Sequence, residues 1–307
     1  MKIKKLNQNS VLVVDSFFQK APLLRQEFEK RFNQPHTADS SRFIWDHWHI
    51  PNQYTLLRTP AYHFFTESLY NQLHTQLLKF GREVLGCYDI TPPWLSCYVE
   101  GCKQEIHADV PHGPWAFVYS LTPWTKRSFK GGETFIMKPE TLQYWHHFSN
   151  LKGVEKPDLM TTIAPQMNRL TVFDPRLPHG VQEVRNAESV LDGRLVIHGW
   201  FKDPEPYVTG SLTRTKAAAG LNLILEKIFQ KQNQFEDVHG TLSYQIKISA
   251  SGQVIKTTKM TDTLQSLTNS TTNTKKLLAL IESAIREQKF ARAKGPSTIT
   301  FPILFRF

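Results

Sequence analysis

Between residues 92 and 204 the chain consists of short β-rich runs separated by Gly, Pro and Asn. The runs are WLSCYVE, PWAFVYSLT, ETFIMKP, LMTTIAP, RLTVFD and RLVIHGWF. Each is long enough for one strand, and no helical pattern alternates with them. Short strands with turn residues between them are typical of sandwiches and jelly rolls rather than of parallel sheets. The sequence therefore predicts an all-β double-stranded β-helix, the jelly roll of cupin-like folds.

Helical patterns precede this β-rich region. A short apolar run at residues 11–14 reads as a strand, and residues 21–32 and 61–85 carry apolar side chains every three or four positions. That spacing predicts two helices. We expect these N-terminal helices to brace the jelly roll, so that residues 1–205 form one domain.

A second domain is predicted beyond Pro204 and Pro206, with its boundary at 205–215. Residues 221–229 and 275–288 have helical spacing, YQIKISA and QVIKTTKM alternate like strands, and ITFPILFRF closes the chain. The order helix, strand, strand, helix, strand predicts a small α+β C-terminal domain over residues 216–307.

The charge of the chain is concentrated in that second domain. The formal net charge is +10, and residues 211–307 hold 14 Lys and Arg against 6 Asp and Glu, an excess of +8. No segment interleaves basic and aromatic residues as a single-strand binding groove would, so nucleic acid is not the favoured partner. The basic domain is instead expected to bind a partner or to mediate assembly.

Cysteine usage and the N-terminal segment favour a cytoplasmic protein. Cys87, Cys97 and Cys102 are odd in number and form no CxxC pair, so free buried thiols are expected. The opening MKIKKLNQNSVLVVDSFF has an apolar run too short for a signal peptide or a membrane span. No membrane association is expected.

Two segments carry side chains suited to metal binding. His107 and Asp109 are two positions apart, so on an extended strand they share a face. Alone, this pair is weak evidence for a metal site, because a chain with 12 His often contains such a spacing by chance, and a solvated strand end would explain it. His179 follows an apolar strand in NRLTVFDPRLPHGVQEV. Two imidazoles and one carboxylate form the facial triad of non-haem Fe(II) oxygenases, which leaves coordination positions open.

Arg194 begins the strand RLVIHGWF, 15 positions after His179. An arginine in a cavity wall needs an anion, and its planar fork matches a carboxylate such as the distal end of a dicarboxylic keto acid. On its own, an arginine such as Arg194 is more often a surface or structural residue.

Taken together, these motifs resemble the 2-oxoglutarate and Fe(II)-dependent oxygenases, specifically their prolyl-4-hydroxylase-like branch. The resemblance rests on VLVVDSFF, LSCYVEG before IHAD, FKGGETFI, RLTVFDPRLPHGVQEV and RLVIHGWF, and covers residues 10–203. It implies that His107, Asp109 and His179 bind iron, that Arg194 binds the distal carboxylate of 2-oxoglutarate, and that Tyr98 donates a hydrogen bond to that carboxylate.

Other residues have less defined roles in this resemblance. His198 shares the strand face of Arg194, where relatives carry Thr or Ser, and is a candidate co-substrate contact. Gly131 and Gly132 match a GGE turn in which strands approach closely. The competing histidines His112, His146 and His147 are interpreted as structural or surface residues.

The implied reaction is decarboxylation of 2-oxoglutarate to succinate and CO₂, coupled to hydroxylation of an unactivated C–H bond. Fe(II) and 2-oxoglutarate are the implied cofactors, with ascorbate as a candidate reductant. A protein or peptide side chain of the prolyl type is the first substrate hypothesis, and a free amino acid or small metabolite is the second.

Two other functions compete with this hypothesis. A nucleic-acid demethylase of the AlkB kind would carry a second arginine six residues after the first, where this chain has Trp200. A cupin-like binding protein without catalysis is the other alternative, because jelly rolls host many non-enzymes.

The hairpin GTLSYQIKISASGQVIKTTKM, the helix after it and the strand FPILFRF are similar to the C-terminal domain of TonB-like proteins. This similarity implies a fold for residues 216–307, and energy transduction is not expected. A small binding or assembly module is the predicted role.

Overall fold

The computed structural model describes residues 2–33, 44–109, 112–146, 148–151, 153–268 and 271–305. Its contacts divide the chain into two compact units. The first contains Met1–Asn7, Val11–Leu77 and Ile90–Lys202, and the second contains Gln8–Ser10, Leu78–Asp89 and Asp203–Phe307. The second unit therefore includes an internal segment that lies far before the domain boundary expected from the sequence.

Strands dominate the chain. In chain order they are β1 (Ile3–Leu6), β2 (Val11–Val14), β3 (Asp46–Ile50), β4 (Tyr54–Pro60), β5 (Cys87–Ile90), β6 (Trp94–Tyr98), β7 (Lys103–His107), β8 (Trp115–Ser120), β9 (Thr134–Met137), β10 (Met160–Ile163), β11 (Leu170–Phe173), β12 (His179–Val181), β13 (Arg194–Pro204), β14 (Tyr207–Gly210), β15 (Val238–Ile248), β16 (Val254–Asp262), β17 (Gln265–Ser266) and β18 (Ser297–Phe305).

The helices are fewer: α1 (Ala21–Phe32), α2 (Ala61–Phe64), α3 (Glu67–Phe80), α4 (Lys156–Leu159), α5 (Arg214–Phe229) and α6 (Thr271–Glu287), with a π-helical turn over Gly81–Leu85. Among the described residues, no helix is long and apolar enough to cross a membrane.

The first unit is a jelly roll, as predicted. Its antiparallel strands follow the order β1-β2-β11-β8-β13-β6-β4-β7-β12-β9-β10, and β3 pairs with β4. Strand β4 joins the two halves of this sheet, because it pairs with β6 through Leu57–Pro60 and with β7 through Tyr54 and Thr55. The metal-ligand candidates therefore lie on one side of β4 and Arg194 on the other.

Helix α1 braces the jelly roll, in agreement with the prediction. Leu24 and Phe28 on this helix are fully buried, and Arg25 donates a hydrogen bond to the carbonyl of Leu191 at 2.7 Å. The predicted helix over residues 61–85 is wrong in one respect, because the chain is extended at Phe65 and separates α2 from α3.

The second unit is an α+β fold with one antiparallel sheet in the order β14-β18-β15-β16. Buried residues of α5 and α6, including Ile224 and Ile281, form one core with Ile246 and Ile299 of the sheet. The early segment belongs to this unit through hydrogen bonds such as that from the Ser243 hydroxyl to the Val84 carbonyl, at 2.8 Å.

All three cysteines are free and buried. Burial raises the pKa of Cys97 to about 12, so its thiol stays protonated at neutral pH. The burial of all three agrees with the expectation of free buried thiols. The cytoplasmic location stays a prediction.

Candidate metal centre and co-substrate pocket

His107, Asp109 and His179 converge at one end of the jelly roll. His107 ends β7 and His179 begins β12, and the two residues are direct partners in the pairing of these strands. Their ring centroids are 4.5 Å apart. Asp109 lies just beyond β7, with its two carboxylate oxygens 3.6 Å from Nε2 of His107 and 3.3 Å from Nε2 of His179. Within the described part of the chain, this is the one cluster of three ligand side chains close enough to share a metal ion.

Hydrogen bonds fix the orientation of both imidazole rings. Nδ1 of His107 lies 2.8 Å from the Glu105 carbonyl oxygen, and Nδ1 of His179 lies 2.8 Å from the Leu177 carbonyl oxygen. A carbonyl oxygen only accepts, so each Nδ1 carries the proton and donates it. In the neutral form of each ring, the unprotonated Nε2 is then the atom directed at the cluster, as in metal-binding histidines.

The charge state of the cluster suits a divalent cation. Burial lowers the pKa of His107, which favours the neutral ring. Burial acts to raise the pKa of Asp109, but the neighbouring His179 and His107 side chains outweigh that effect and lower it. The Asp109 backbone N–H donates to the Pro175 carbonyl at 2.9 Å, which holds the loop after β7. The cluster thus presents two imidazole nitrogens and one anionic carboxylate to a cation.

A cavity of about 610 Å³ opens beside this cluster. Most of the residues that β4, β6 and β13 contribute to its walls are spaced two positions apart, as side chains on one face of a strand are. These are Tyr54, Leu56 and Arg58; Trp94 and Tyr98; and Arg194, Val196, His198 and Trp200. Pockets of about 300–1,000 Å³ hold small ligands, so this one has room for a co-substrate and part of a substrate.

Arg194 is the most deeply buried charged group in this wall, with 1% of its surface exposed. Its Nη2 donates to the Thr134 hydroxyl at 3.0 Å, while Nε and Nη1 are buried with no hydrogen-bond partner. Burial lowers the pKa of Arg194. A desolvated guanidinium with two free donors is costly unless an anion binds it, and its fork matches a carboxylate.

Residues 93–202 match the sequence profile of the 2OG-Fe(II) oxygenase superfamily. This segment contains all three residues of the cluster and Arg194. The chain carries a 2OG-Fe(II) oxygenase domain. It is a 2OG/Fe(II)-dependent dioxygenase, with Fe(II) as its metal and 2-oxoglutarate as its co-substrate. The alternative of a non-catalytic binding protein is therefore set aside.

Several solved structures are similar to this oxygenase at low sequence identity. A prolyl-4-hydroxylase from Pseudomonas putida has a TM-score of 0.43 and 14% identity, over 63% of this chain and 92% of that one. A Trichoplax adhaerens prolyl hydroxylase, in complex with a peptide fragment of the hypoxia inducible factor oxygen degradation domain, has a TM-score of 0.41 and 18% identity over 64% and 86%. HygX from Streptomyces hygroscopicus, with nickel and 2-oxoglutarate bound, has a TM-score of 0.41 and 12% identity over 63% and 82%. A comparison with curated protein sequences finds no match.

Tyr98 lies directly beside Arg194 in the oxygenase pocket. The two residues are register partners between β6 and β13, and the guanidinium carbon of Arg194 is 4.5 Å from the centroid of the Tyr98 ring. Burial raises the pKa of Tyr98 to about 12, so the phenol remains a neutral hydrogen-bond donor. Gly131 and Gly132 of the GGE turn allow the chain to pass close to Arg194. Both have positive φ, and a Cβ on Gly132 would meet the Phe129 ring at 2.9 Å and the Arg194 side chain at 3.3 Å.

His198 and His112 also line the pocket. Nε2 of His198 is 2.8 Å from the Ser96 hydroxyl. Burial, and next the charge of Arg194, lower the pKa of His198 to about 4, so this ring is neutral at pH 7. The His112 ring lies 4.4 Å from that of Trp200 at the cavity wall. His147 lies outside the described residues, and the His146 side chain is not among those described.

The sequence patterns above did not identify the β3–β4 hairpin, which contributes Trp48, Tyr54 and Arg58 to the pocket. Its signal is present in DHWHIPNQYTLLRTP, where a Pro-Asn-Gln turn separates two segments in which apolar residues alternate with polar ones. The observed strands pair as a two-strand hairpin around that turn.

Proposed function

We propose that this dioxygenase hydroxylates an unactivated C–H bond, with His107, Asp109 and His179 as its iron ligands. The observation that carries the proposal is the convergence of two imidazole nitrogens and one carboxylate, all within 4.8 Å of one another, beside a buried arginine with unpaired donors. Three protein ligands leave the positions that a bidentate co-substrate and O₂ require.

Arg194 is proposed to bind the distal carboxylate of 2-oxoglutarate. Its Nη2 is oriented by Thr134, and its Nε and Nη1 have no partner, so a carboxylate in the cavity that Arg194 lines would complete the pairing. Tyr98 is proposed to donate a hydrogen bond to the same carboxylate. His198 lies on the same strand face, and its neutral ring is proposed to border the co-substrate without adding a second positive charge.

When bound, Fe(II) with 2-oxoglutarate and O₂ supplies the oxidising power, and succinate and CO₂ are the proposed co-products. The chain itself orients the co-substrate, excludes water and holds the reacting C–H close to the metal. The apolar walls formed by Trp94, Val196 and Trp200 serve the exclusion of water.

A protein or peptide side chain of the prolyl type is the proposed substrate. The aromatic rings of Trp48, Tyr54 and Trp94 at the pocket wall suit the packing of a small saturated ring. A free amino acid is the second candidate, favoured by the presence of an additional arginine, Arg58, inside the same cavity. The basic C-terminal unit is proposed to bind a partner or to mediate assembly.

The test measures succinate and hydroxylated product together. The protein is incubated with Fe(II), 2-oxoglutarate, ascorbate and O₂, and a panel of prolyl peptides and free amino acids is screened. We expect iron-dependent succinate formation, with one oxygen atom gained by the product for each succinate. His179→Ala should abolish both, whereas exchange of the exposed His63 for Ala should not. Absence of iron-dependent succinate formation in the wild type would contradict the proposal.

A further inference from the structure

Arg58 is a second cation inside the cavity, and the proposed reaction with 2-oxoglutarate does not require it. Its guanidinium carbon lies 3.5 Å from the centroid of the Trp48 ring and 4.2 Å from that of the Trp94 ring. Because indole rings flank the guanidinium, its rotation is restricted and its N–H donors are left to face outward from the stack. The group is thus positioned before any ligand arrives, which lowers the entropic cost of binding one.

The donors of Arg58 have no acceptor in the described part of the chain. Its Nε is buried with no hydrogen-bond partner, and no described carboxylate forms an ion pair with it. Burial lowers the pKa of Arg58, and the charge of Asp46, its exposed cross-strand neighbour, offsets only part of that effect. A partly desolvated arginine without an acceptor is stabilised when an anion enters the cavity and accepts its hydrogen bonds.

The position of Arg58 separates it from the 2-oxoglutarate site. Arg58 pairs in register with Ser96 of β6, whereas Arg194 pairs with Tyr98 of the same strand from the opposite side. The two arginines are therefore two strands apart across the sheet and two residues apart along it. With ordinary strand spacings, their Cα atoms are roughly 12 Å apart. The cavity thus offers two distinct positions for an anion.

The remaining polar groups of the cavity favour the same kind of ligand. Trp200 is the third residue of this wall, after Arg194 and Arg58, with a buried donor that lacks a partner, here its Nε1. Asp109, already placed at the metal cluster, is the one acidic side chain among the described lining residues. A ligand that fills this space therefore has to bring acceptors and negative charge.

We propose that Arg58 binds a carboxylate of the primary substrate, so that the compound hydroxylated by this enzyme is a carboxylic acid. The inference rests on the proposed function. Because Arg58 lies in the wall of the same cavity as the metal cluster, the acid group enters together with the carbon that reacts. That arrangement fits the α-carboxylate of a free amino acid or of the C-terminal residue of a peptide, with the indole rings packing against its apolar part.

The experiment compares each acid with its primary amide, which has nearly the same shape but no charge. Full-length protein with Fe(II) and 2-oxoglutarate is given free amino acids and X-Pro dipeptides as acids and as amides, including L-proline and L-prolinamide. The increase in 2-oxoglutarate consumption caused by each compound is measured. Comparison of the free amino acids with the dipeptides shows whether the carboxylate belongs to a free amino acid or to the C-terminal residue of a peptide. Stimulation by acids over their amides is expected. Equal stimulation by acid and amide, or no stimulation by any acid, would overturn the proposal.

Variants then assign the effect to Arg58. The dissociation constant of the best acid is measured without O₂, so that binding is read separately from turnover. Arg58→Gln should weaken acid binding roughly thirtyfold, as expected when one member of a desolvated charge pair is removed, and should change amide binding little. Arg127→Gln is the matched control, because Arg127 stacks on Trp124 at the same 3.5 Å but does not line the cavity.

Arg127→Gln should bind the acid with the same affinity as the wild type. Asp46→Asn should retain or improve it, because Asp46 competes for the charge of Arg58. Equal loss of acid and amide binding in Arg58→Gln would indicate a structural role and would refute the carboxylate site. Failure of the proposed function itself would look different, because wild-type protein would then consume no 2-oxoglutarate with any compound or without one.

Discussion

Replacement of Arg194 by lysine tests the co-substrate site. The buried guanidinium has one donor on Thr134 and two donors without a partner, and those two are positioned to meet a carboxylate. Lysine preserves the charge but loses the planar fork, so we expect one of two charge-assisted hydrogen bonds to be lost. Such a bond contributes about 1.5–3 kcal/mol, which corresponds to roughly a 10- to 150-fold weaker affinity for 2-oxoglutarate.

The assay is a 2-oxoglutarate titration of the iron-loaded variant without O₂, with iron content measured in the same samples. Iron should remain bound, since Arg194 is not a member of the His-Asp-His cluster. Arg127→Lys serves as a control for the replacement of a stacked arginine outside the cavity. Wild-type affinity for 2-oxoglutarate in Arg194→Lys would refute the assignment and leave Arg194 a structural residue.

Three further predictions concern the pocket, the fold and the basic unit. Tyr98→Phe should weaken 2-oxoglutarate binding roughly tenfold or more in the same titration, because one hydrogen bond to a charged carboxylate is lost; an unchanged affinity would exclude that bond. Gly131→Ala should lower the Tm by about 5 °C or more, since a Cβ there would lie 1.9 Å from the Glu183 carbonyl oxygen at a φ of +75°; a scanning calorimetry trace like that of the wild type would contradict this. Lys247 and Lys256 are exposed cross-strand partners, and replacing both by Glu should raise the KM for a protein substrate roughly threefold at low salt and less at high salt; a KM equal to that of the wild type at low salt would exclude electrostatic capture by this face.

The metal cluster is predictable from the sequence because its chemistry requires particular residue types at a strand end. The HxD spacing and the Pro-bounded histidine gave the residues His107, Asp109 and His179, and the structure brings them together. Arg194 was predictable for a related reason, because an arginine that begins an apolar strand needs a counter-charge. Their assignment as ligands for iron and 2-oxoglutarate stays a proposal.

Tertiary contacts explain where the sequence patterns were insufficient. The expected helix over residues 61–85 breaks because Phe65 is extended and buried, and the Thr66 backbone N–H donates to the Glu27 carboxylate on α1 at 3.1 Å. No local pattern encodes that contact. Arg58 was missed for a similar reason, since its importance arises only when β4 places it between Trp48 and Trp94.

The domain division also depends on contacts that the sequence does not reveal. Leu78–Asp89 groups with Asp203–Phe307, and the Thr300 hydroxyl donates to the Glu83 carbonyl at 3.0 Å. Removing the chain after Gly210 would leave this early segment without those partners. Charge substitutions on exposed lysines are therefore a cleaner test of the C-terminal unit than its deletion.

Equilibrium iron binding tests the central claim most directly. Wild-type protein, His107→Ala, His179→Ala and the control His63→Ala are dialysed against Fe(II) without O₂, and bound iron is measured per chain. We predict one iron per chain in the wild type and in His63→Ala, and loss of that iron in both cluster variants, because each removes one of three protein ligands. Iron bound at wild-type affinity in either cluster variant would contradict the account.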